Sequence, residues 1–209
     1  GPLASEDPLF FRNLDGSGIV HRELPRDCGT LRTRARLTGR SKIGPMIIVN
    51  FEVVCTAESD GEPVYTLKTA FGFFPGPALA QQIGVGTSDE DRERIGRPSD
   101  FHVDLTQRPP RYCEGTLRLA GRKLLMLDRV TGYWPDAGEA GLGRARGEKD
   151  VSVDEWFFKA HFYQDPVQPG SLGLEALLQL LQFTMLESGA GASIENPRFE
   201  SIAIGREMS

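Results

Sequence analysis

His161 and Glu175 are the two side chains of this sequence best placed by type and spacing to move a proton between them. The imidazole stands just ahead of a loop, Asp165-Pro166-Val167-Gln168-Pro169-Gly170, and the carboxylate falls in the first turns of the apolar stretch that follows. An imidazole titrates near neutral pH and suits proton transfer. A lone acid in apolar surroundings is costly to bury without a partner or a task. The backbone N–H groups of Gly170, Ser171 and Leu172 open that stretch. Free N–H groups at a helix start carry partial positive charge and favour an anion or a polarised carbonyl. Gly170 has no side chain, so a ligand can approach its backbone closely. Base, acid and oxyanion donor together suit abstraction of a proton α to a carbonyl with departure of a β-hydroxyl. The competing readings are plainer: a histidine hydrogen-bonded in a core, and a glutamate at a solvent gap.

The elements that must hold these groups are a loop and a helix. Pro166 and Pro169 fix their own φ angles and bias the preceding residues away from helical geometry, so helix cannot begin much before Gly170. Ser171 is the expected N-cap. From Leu172 to Leu186 apolar residues fall on nearly every side of the helical wheel, which predicts a helix over 172–187 buried on most faces. Glu175 and Gln179, four apart, share a face. Gly189 is a suitable C′ residue. The apolar run is too short to span a bilayer, which takes roughly 20 residues.

The ordered series His161-Phe162, Asp165-Pro166-Val167, Pro169-Gly170, Leu172-Gly173-Leu174-Glu175-Ala176 and Gln179 resembles the active-site segment of the hot-dog-fold 3-hydroxyacyl-ACP dehydratases. The resemblance is to the 3-hydroxydecanoyl-ACP dehydratase type, and most of all to the dehydratase domains of polyunsaturated fatty acid synthases. Leu125-Met126-Leu127-Asp128-Arg129-Val130 extends it upstream. It implies an α+β hot-dog fold, an antiparallel sheet wrapped around a long buried helix. It also implies conversion of 3-hydroxyacyl-ACP to trans-2-enoyl-ACP within a fatty acid or polyketide synthase. In that assignment His161 removes the α-proton, Glu175 holds or protonates the departing hydroxyl, and the Gly170 N–H binds the thioester oxygen. Phe158, Phe162, Val167, Pro169, Ser171, Leu174 and Gln179 are the substrate-binding candidates. No cofactor or metal is expected; the substrate arrives on the phosphopantetheine arm of an acyl carrier protein. Glu175 departs from the aspartate of the stand-alone decanoyl enzymes, which puts double-bond isomerisation in doubt but not dehydration. A homodimer or double hot dog is expected. The alternatives are a hot-dog acyl thioesterase, against which the Pro-Val-x-Pro-Gly loop argues, and a catalytically incomplete structural or acyl-binding fragment.

Composition sets outer bounds. The 209 residues suffice for one large domain or two small ones, and 39% hydrophobic with 25% charged content describes a globular chain. A net charge of −5 argues against non-specific nucleic-acid binding. Cys28, Cys55 and Cys113 are odd in number and lack paired spacing, and His21, His102 and His161 are scattered, so no metal cluster is visible. No signal peptide or membrane span is evident, and a reducing cytoplasm is the expected compartment.

Along the chain, residues 1–5 are assigned as a protease-cleavage scar on the strength of Gly1-Pro2-Leu3. Asp15-Gly16-Ser17-Gly18 predicts a turn. The alternation of Leu31, Thr33, Ala35 and Leu37 with Arg32, Arg34 and Arg36 predicts a half-buried strand with one basic face. Strands over Met46–Cys55 and Val64–Phe74, joined at Asp60-Gly61, complete a meander. Residues 6–77 thus read as the C-terminal half of one hot-dog domain. Residues 78–110, rich in proline and charge, read as a linker. Residues 111–209 read as the N-terminal half of a second hot-dog domain, with strands over 123–134 and Arg144–Val151, a capping box at Ser152–Glu155 and a further strand from Phe199 to Ile204. The halves are complementary in type, so a composite or partial double hot dog is expected, closed in cis or by exchange between chains.

Overall fold

A computed structural model describes residues 8–24, 27–81, 83–84, 86–162, 165–200 and 204–208. In chain order the elements are β1 Leu9–Val20, β2 Leu31–Ile43, β3 Met46–Ala57, β4 Pro63–Pro75, α1 Gly76–Ala80, α2 Asp89–Gly96, β5 Val103–Asp104, α3 Pro110–Cys113, β6 Arg129–Trp134, β7 Arg144–Glu148, α4 Trp156–Ala160, α5 Gly170–Glu187 and β8 Glu207–Met208. They fall into two compact units, residues 1–85 with 201–209, and residues 86–200. Residues 1–5, Tyr163-Gln164 of the loop, and most of the strand expected before Ile204 lie outside the described residues; Phe199 and Glu200 are not in a strand.

The first unit is an antiparallel sheet in the order β2-β3-β4-β1-β8. The β2-β3-β4 meander is as expected from the alternation. The turn expected at Asp15–Gly18 is instead strand: β1 runs through it, paired with β4 from Leu9↔Pro75 to Val20↔Tyr65. The only irregularity in that ladder is between Asn13 and Asp15. Thr69 fastens it, donating its hydroxyl to the Asp15 carbonyl at 2.8 Å and accepting from Asn13 Nδ2 at 2.8 Å. A side chain at Gly18 would put its Cβ 2.7 Å from the Thr66 carbonyl oxygen, so glycine there serves a close strand approach, not a turn. β2 is also not half-buried: it is an edge strand, and all of its residues but Gly39 are exposed. Two of its arginines engage carboxylates, Arg32 with Glu58 at 3.5 Å and Arg36 with Glu52, which holds the Glu52 carboxyl below its ordinary range.

In the second unit a small antiparallel sheet, β5-β6-β7, carries α5 on one side. Leu105, Tyr112, Leu119, Leu125, Leu127, Val130 and Phe183 form its core. Phe183, fully buried, stacks on Tyr112 with ring centroids 4.6 Å apart. Gly147 on β7 lets the helix come close, since a Cβ there would meet Leu127 at 2.9 Å and Leu180 at 3.2 Å. At the helix end Tyr112 Oη donates to Glu187 at 2.6 Å, and Arg111 pairs with the same carboxylate at 2.9 Å. Burial first, and that bond second, push the Tyr112 phenol up to about 12. These partners offset an acid standing at the negative end of a helix dipole.

The expected strand over 123–134 is shorter. Residues 123–128 form a loop whose backbone bonds elsewhere, and regular pairing begins at Arg129. β7 ends at Glu148. The segment expected to be only a linker contains α2, opened by a capping box in which Ser88 and Asp91 bond each other's backbone N–H. The capping box expected at Ser152 does not form: α4 starts at Trp156 with Glu155 at its N-cap, and the Ser152 hydroxyl receives only the Asp154 N–H, at 3.2 Å. No helix among the described residues is long and apolar enough to cross a membrane.

Candidate active site

Two elements and the loop between them hold the proposed chemical groups. α4 ends at His161, whose N–H donates to the Phe157 carbonyl at 2.9 Å. Phe157, 1% exposed, anchors the turn, packed on Phe158 at 4.8 Å between centroids. The His161 ring is exposed and lies parallel to Phe162, 4.0 Å away. Its Nδ1 is 2.9 Å from the Val167 carbonyl oxygen. A carbonyl can only accept, so Nδ1 carries the hydrogen and the lone pair of the neutral ring resides on Nε2. The loop that the two prolines stiffen thereby sets the tautomer of the imidazole.

α5 begins at Gly170, as the prolines require, but its N-cap is Pro169, with φ −57° and ψ 128°. Ser171 is therefore not the cap; it lies inside the first turn and is exposed. The helix has no side-chain cap, which leaves its opening N–H groups without one. Leu172 N–H closes a turn onto the Pro169 carbonyl at 3.0 Å. Nothing lies within 4 Å of where a Cβ on Gly170 would be, so its backbone is open to approach.

Glu175 is half-buried and accepts from Gln179 Nε2 at 2.7 Å. Gln179 is fully buried. Its Oε1 accepts from the Met126 N–H at 2.7 Å and its Nε2 also donates to the Leu124 carbonyl at 2.7 Å. These two partners fix which way the amide points, so the second Nε2 hydrogen has to meet Glu175. Gln179 was expected among the substrate contacts; both ends of its amide are spent on Met126, Leu124 and Glu175. The loop that holds it, 124–128, is fixed in turn by Lys149, which reaches Asp128 at 3.1 Å and Glu155 at 2.6 Å. Burial pulls the Lys149 ammonium down, but the two carboxylates outweigh it and hold it above its ordinary value. Lys149 was not singled out from the sequence, where it is one charge among many in the stretch from Arg144 to Glu155 and its partner Asp128 is 21 residues away.

The structure does not bond His161 to Glu175: each has its own partner, and among the described residues no hydrogen bond or ion pair joins them. Of the expected substrate contacts, Phe162 and Val167 touch the imidazole, Phe158 packs on Phe157, and Pro169 caps α5. Leu174 points elsewhere. It is 59% exposed and begins a stripe with Leu177, Leu181 and Met185 along the outer face of α5. Only Gln179 and Phe183 are fully buried on that helix, so the expectation of burial on most sides is corrected. The small sheet of this unit covers one face of α5 and leaves that one open.

Residues 119–208 match the model of the FabA-like domain. Over that stretch the chain is similar to FabA-like domains. The match contains the His161 loop, all of α5 and the 124–128 loop that supports Gln179. A wider likeness runs to a polyunsaturated fatty acid synthase polypeptide of Thraustochytrium sp. (strain ATCC 26185 / S-3), 30% identical over 199 residues and covering 87% of this chain. The chain spans 13% of the length of that synthase polypeptide. Together they bear out the resemblance to a dehydratase of the polyunsaturated fatty acid synthase kind, at the level of the family. A SecB-like chaperone of Mycobacterium tuberculosis, solved with an antitoxin peptide, is 13% identical with a TM-score of 0.24, covering 39% of this chain and 59% of that one. A score that low says nothing about fold or activity.

Proposed function

We propose that the FabA-like stretch is a dehydratase that converts 3-hydroxyacyl-ACP to trans-2-enoyl-ACP by loss of water. The observation that carries this reading is the bond from His161 Nδ1 to the Val167 carbonyl. It leaves Nε2 as the base, held by a stiff loop that ends at the open backbone of Gly170. In the reaction Nε2 takes the α-proton, the Gly170 N–H supports the thioester oxygen as negative charge develops, and the β C–O bond breaks as the hydroxyl takes a proton from the Glu175 carboxyl and leaves as water. Gln179 occupies one oxygen of that carboxyl, so the other is available to the leaving group. Microscopic reversibility makes enoyl-thioester hydration an equivalent assay. We expect the protein to hydrate a crotonyl N-acetylcysteamine thioester and His161→Ala to lose this activity. A folded His161→Ala variant with undiminished hydration would overturn the assignment.

The carrier protein, the double hot dog and the homodimer belong to the same proposal. What supports a pairing is the apolar stripe on α5, and we assign it to contact with a second copy of this chain. The sheet wrapped around a helix that defines a hot dog would be completed in that assembly. An acyl thioesterase would use the same substrate but release the carrier, so product mass separates the two.

A further inference from the structure

A hollow lies at the hairpin end of β6 and β7, where the guanidiniums of Arg97 and Arg146 face the Trp134 indole. Trp134 closes β6 and pairs with Arg144, the first residue of β7. Its ring lies back over Gly132, where a Cβ would come within 2.3 Å of the indole, so glycine provides its seat. The Arg97 guanidinium sits 5.8 Å from the ring centroid on the arm that follows α2. Arg146 clamps the arrangement. It donates to the carbonyls of Ile95 at 2.5 Å and Arg97 at 2.8 Å, to the Thr131 carbonyl at 2.8 Å and to the Thr131 hydroxyl at 2.9 Å. Its donors are thus used in holding the end of α2 against β6 and β7.

Two adjoining hollows of about 550 and 560 Å³ result, and Arg97 and Arg144 line both. Tyr133, Trp134 and Pro135 give one wall, and Glu93 and Asp136 are the acids on the rim. Among the described residues neither acid forms an ion pair with Arg97 or Arg144. In this unit Arg92, Arg94, Arg111, Arg129 and Arg198 each hold a carboxylate. Arg97 and Arg144 hold none among the described residues, although Arg144 is half-buried. A partly desolvated guanidinium without a counter-charge, as at Arg144, is unfavourable, and with the exposed Arg97 lining the same hollows it offers the forked donors that match a phosphate. The indole and phenol beside them suit an apolar or planar body attached to it.

We propose that this groove binds a phosphate ester, its phosphate on Arg97 and Arg144 and its organic part along Trp134. A free nucleotide and the phosphopantetheine arm of a carrier both carry that chemistry. The test is titration of the whole chain with ADP, with phosphopantetheine and with inorganic phosphate. Binding is read by phosphorus NMR of the probe and by Trp134 fluorescence in a Trp156→Phe background, which leaves Trp134 as the single indole. We expect saturable binding of at least one of the two esters, tighter than inorganic phosphate and weakened by about tenfold in Arg144→Gln and again in Arg97→Gln. Preference for phosphopantetheine identifies the arm as the source, and preference for ADP a free nucleotide. No saturable binding of either ester, or binding unchanged in the folded double variant, overturns the proposal. The phosphorus signal on the unaltered protein decides the matter if the Trp156→Phe background does not fold.

Discussion

Among single side chains the most informative is Gln179. Gln179 joins three groups: the Met126 N–H, the Leu124 carbonyl and the Glu175 carboxyl. Gln179→Leu removes all three bonds and leaves buried backbone groups unsatisfied, at about 1–3 kcal/mol for each. We expect a fall in stability of about 2–5 kcal/mol by urea denaturation, with hydration activity reduced because Glu175 is no longer oriented. Loss of stability alone, with the specific activity of the folded fraction intact, would show that Gln179 only packs. His161→Ala should cost about 10²–10⁴-fold in hydration rate, the usual yield of a positioned base, with little change in stability, because the ring is exposed. The pairing of Gln179 with Glu175 was legible from their four-residue spacing. The role of Gln179 was not, because its backbone partners are 53 and 55 residues away in the chain.

Elements were legible where local pattern and tertiary context agree, and misread where one sequence signal serves two ends. The meander of β2, β3 and β4 follows from alternation. Asp15-Gly16-Ser17-Gly18 has the composition of a turn, yet Gly18 is small because β4 passes close to it. Residues 125–127 are apolar enough for a strand, but the Met126 N–H is taken by a glutamine side chain in place of a ladder. Ser152 and Ser88 each stand three residues before an acid; only Ser88 caps a helix. Two predictions belong at this scale. Phe183→Ala should destabilise the second unit by about 3–5 kcal/mol, since the ring fills the core between α5 and α3. The β6–β7 pair should also give an acid-sensitive term. Arg129 depresses the Asp150 carboxyl, and Thr131 first and then Arg129 depress that of Glu148. Folded values below the unfolded ones mean stability present above the ordinary carboxylate range and lost as pH falls through the lowered values. Arg129→Met should therefore flatten the decline in denaturation midpoint below about pH 4. An unchanged acid limb would place the acid sensitivity elsewhere.

For the molecule as a whole, the question is what covers α5. Leu174, Leu177, Leu181 and Met185 recur at intervals of three or four residues, the spacing of one helical face, and all are exposed. Removing each leucine from water is worth about 1.5–3 kcal/mol at full burial, enough for several to drive association. We expect the chain to self-associate in sedimentation velocity, and Leu177→Asp with Leu181→Asp to yield a monomer with its circular dichroism unchanged. A wild-type chain that stays monomeric at high concentration would leave the stripe without the partner assigned to it. The sequence showed that this helix is apolar on nearly every side; it did not show which side the small sheet would take, because that depends on where β7 places Gly147.

The most direct test of the central claim is the mass of a 3-hydroxyacyl carrier protein after incubation with this chain. Loss of one water with the acyl group still attached, dependent on His161 and Glu175, is the predicted result. Release of free carrier, or a substrate left untouched by protein shown to be folded, would contradict it.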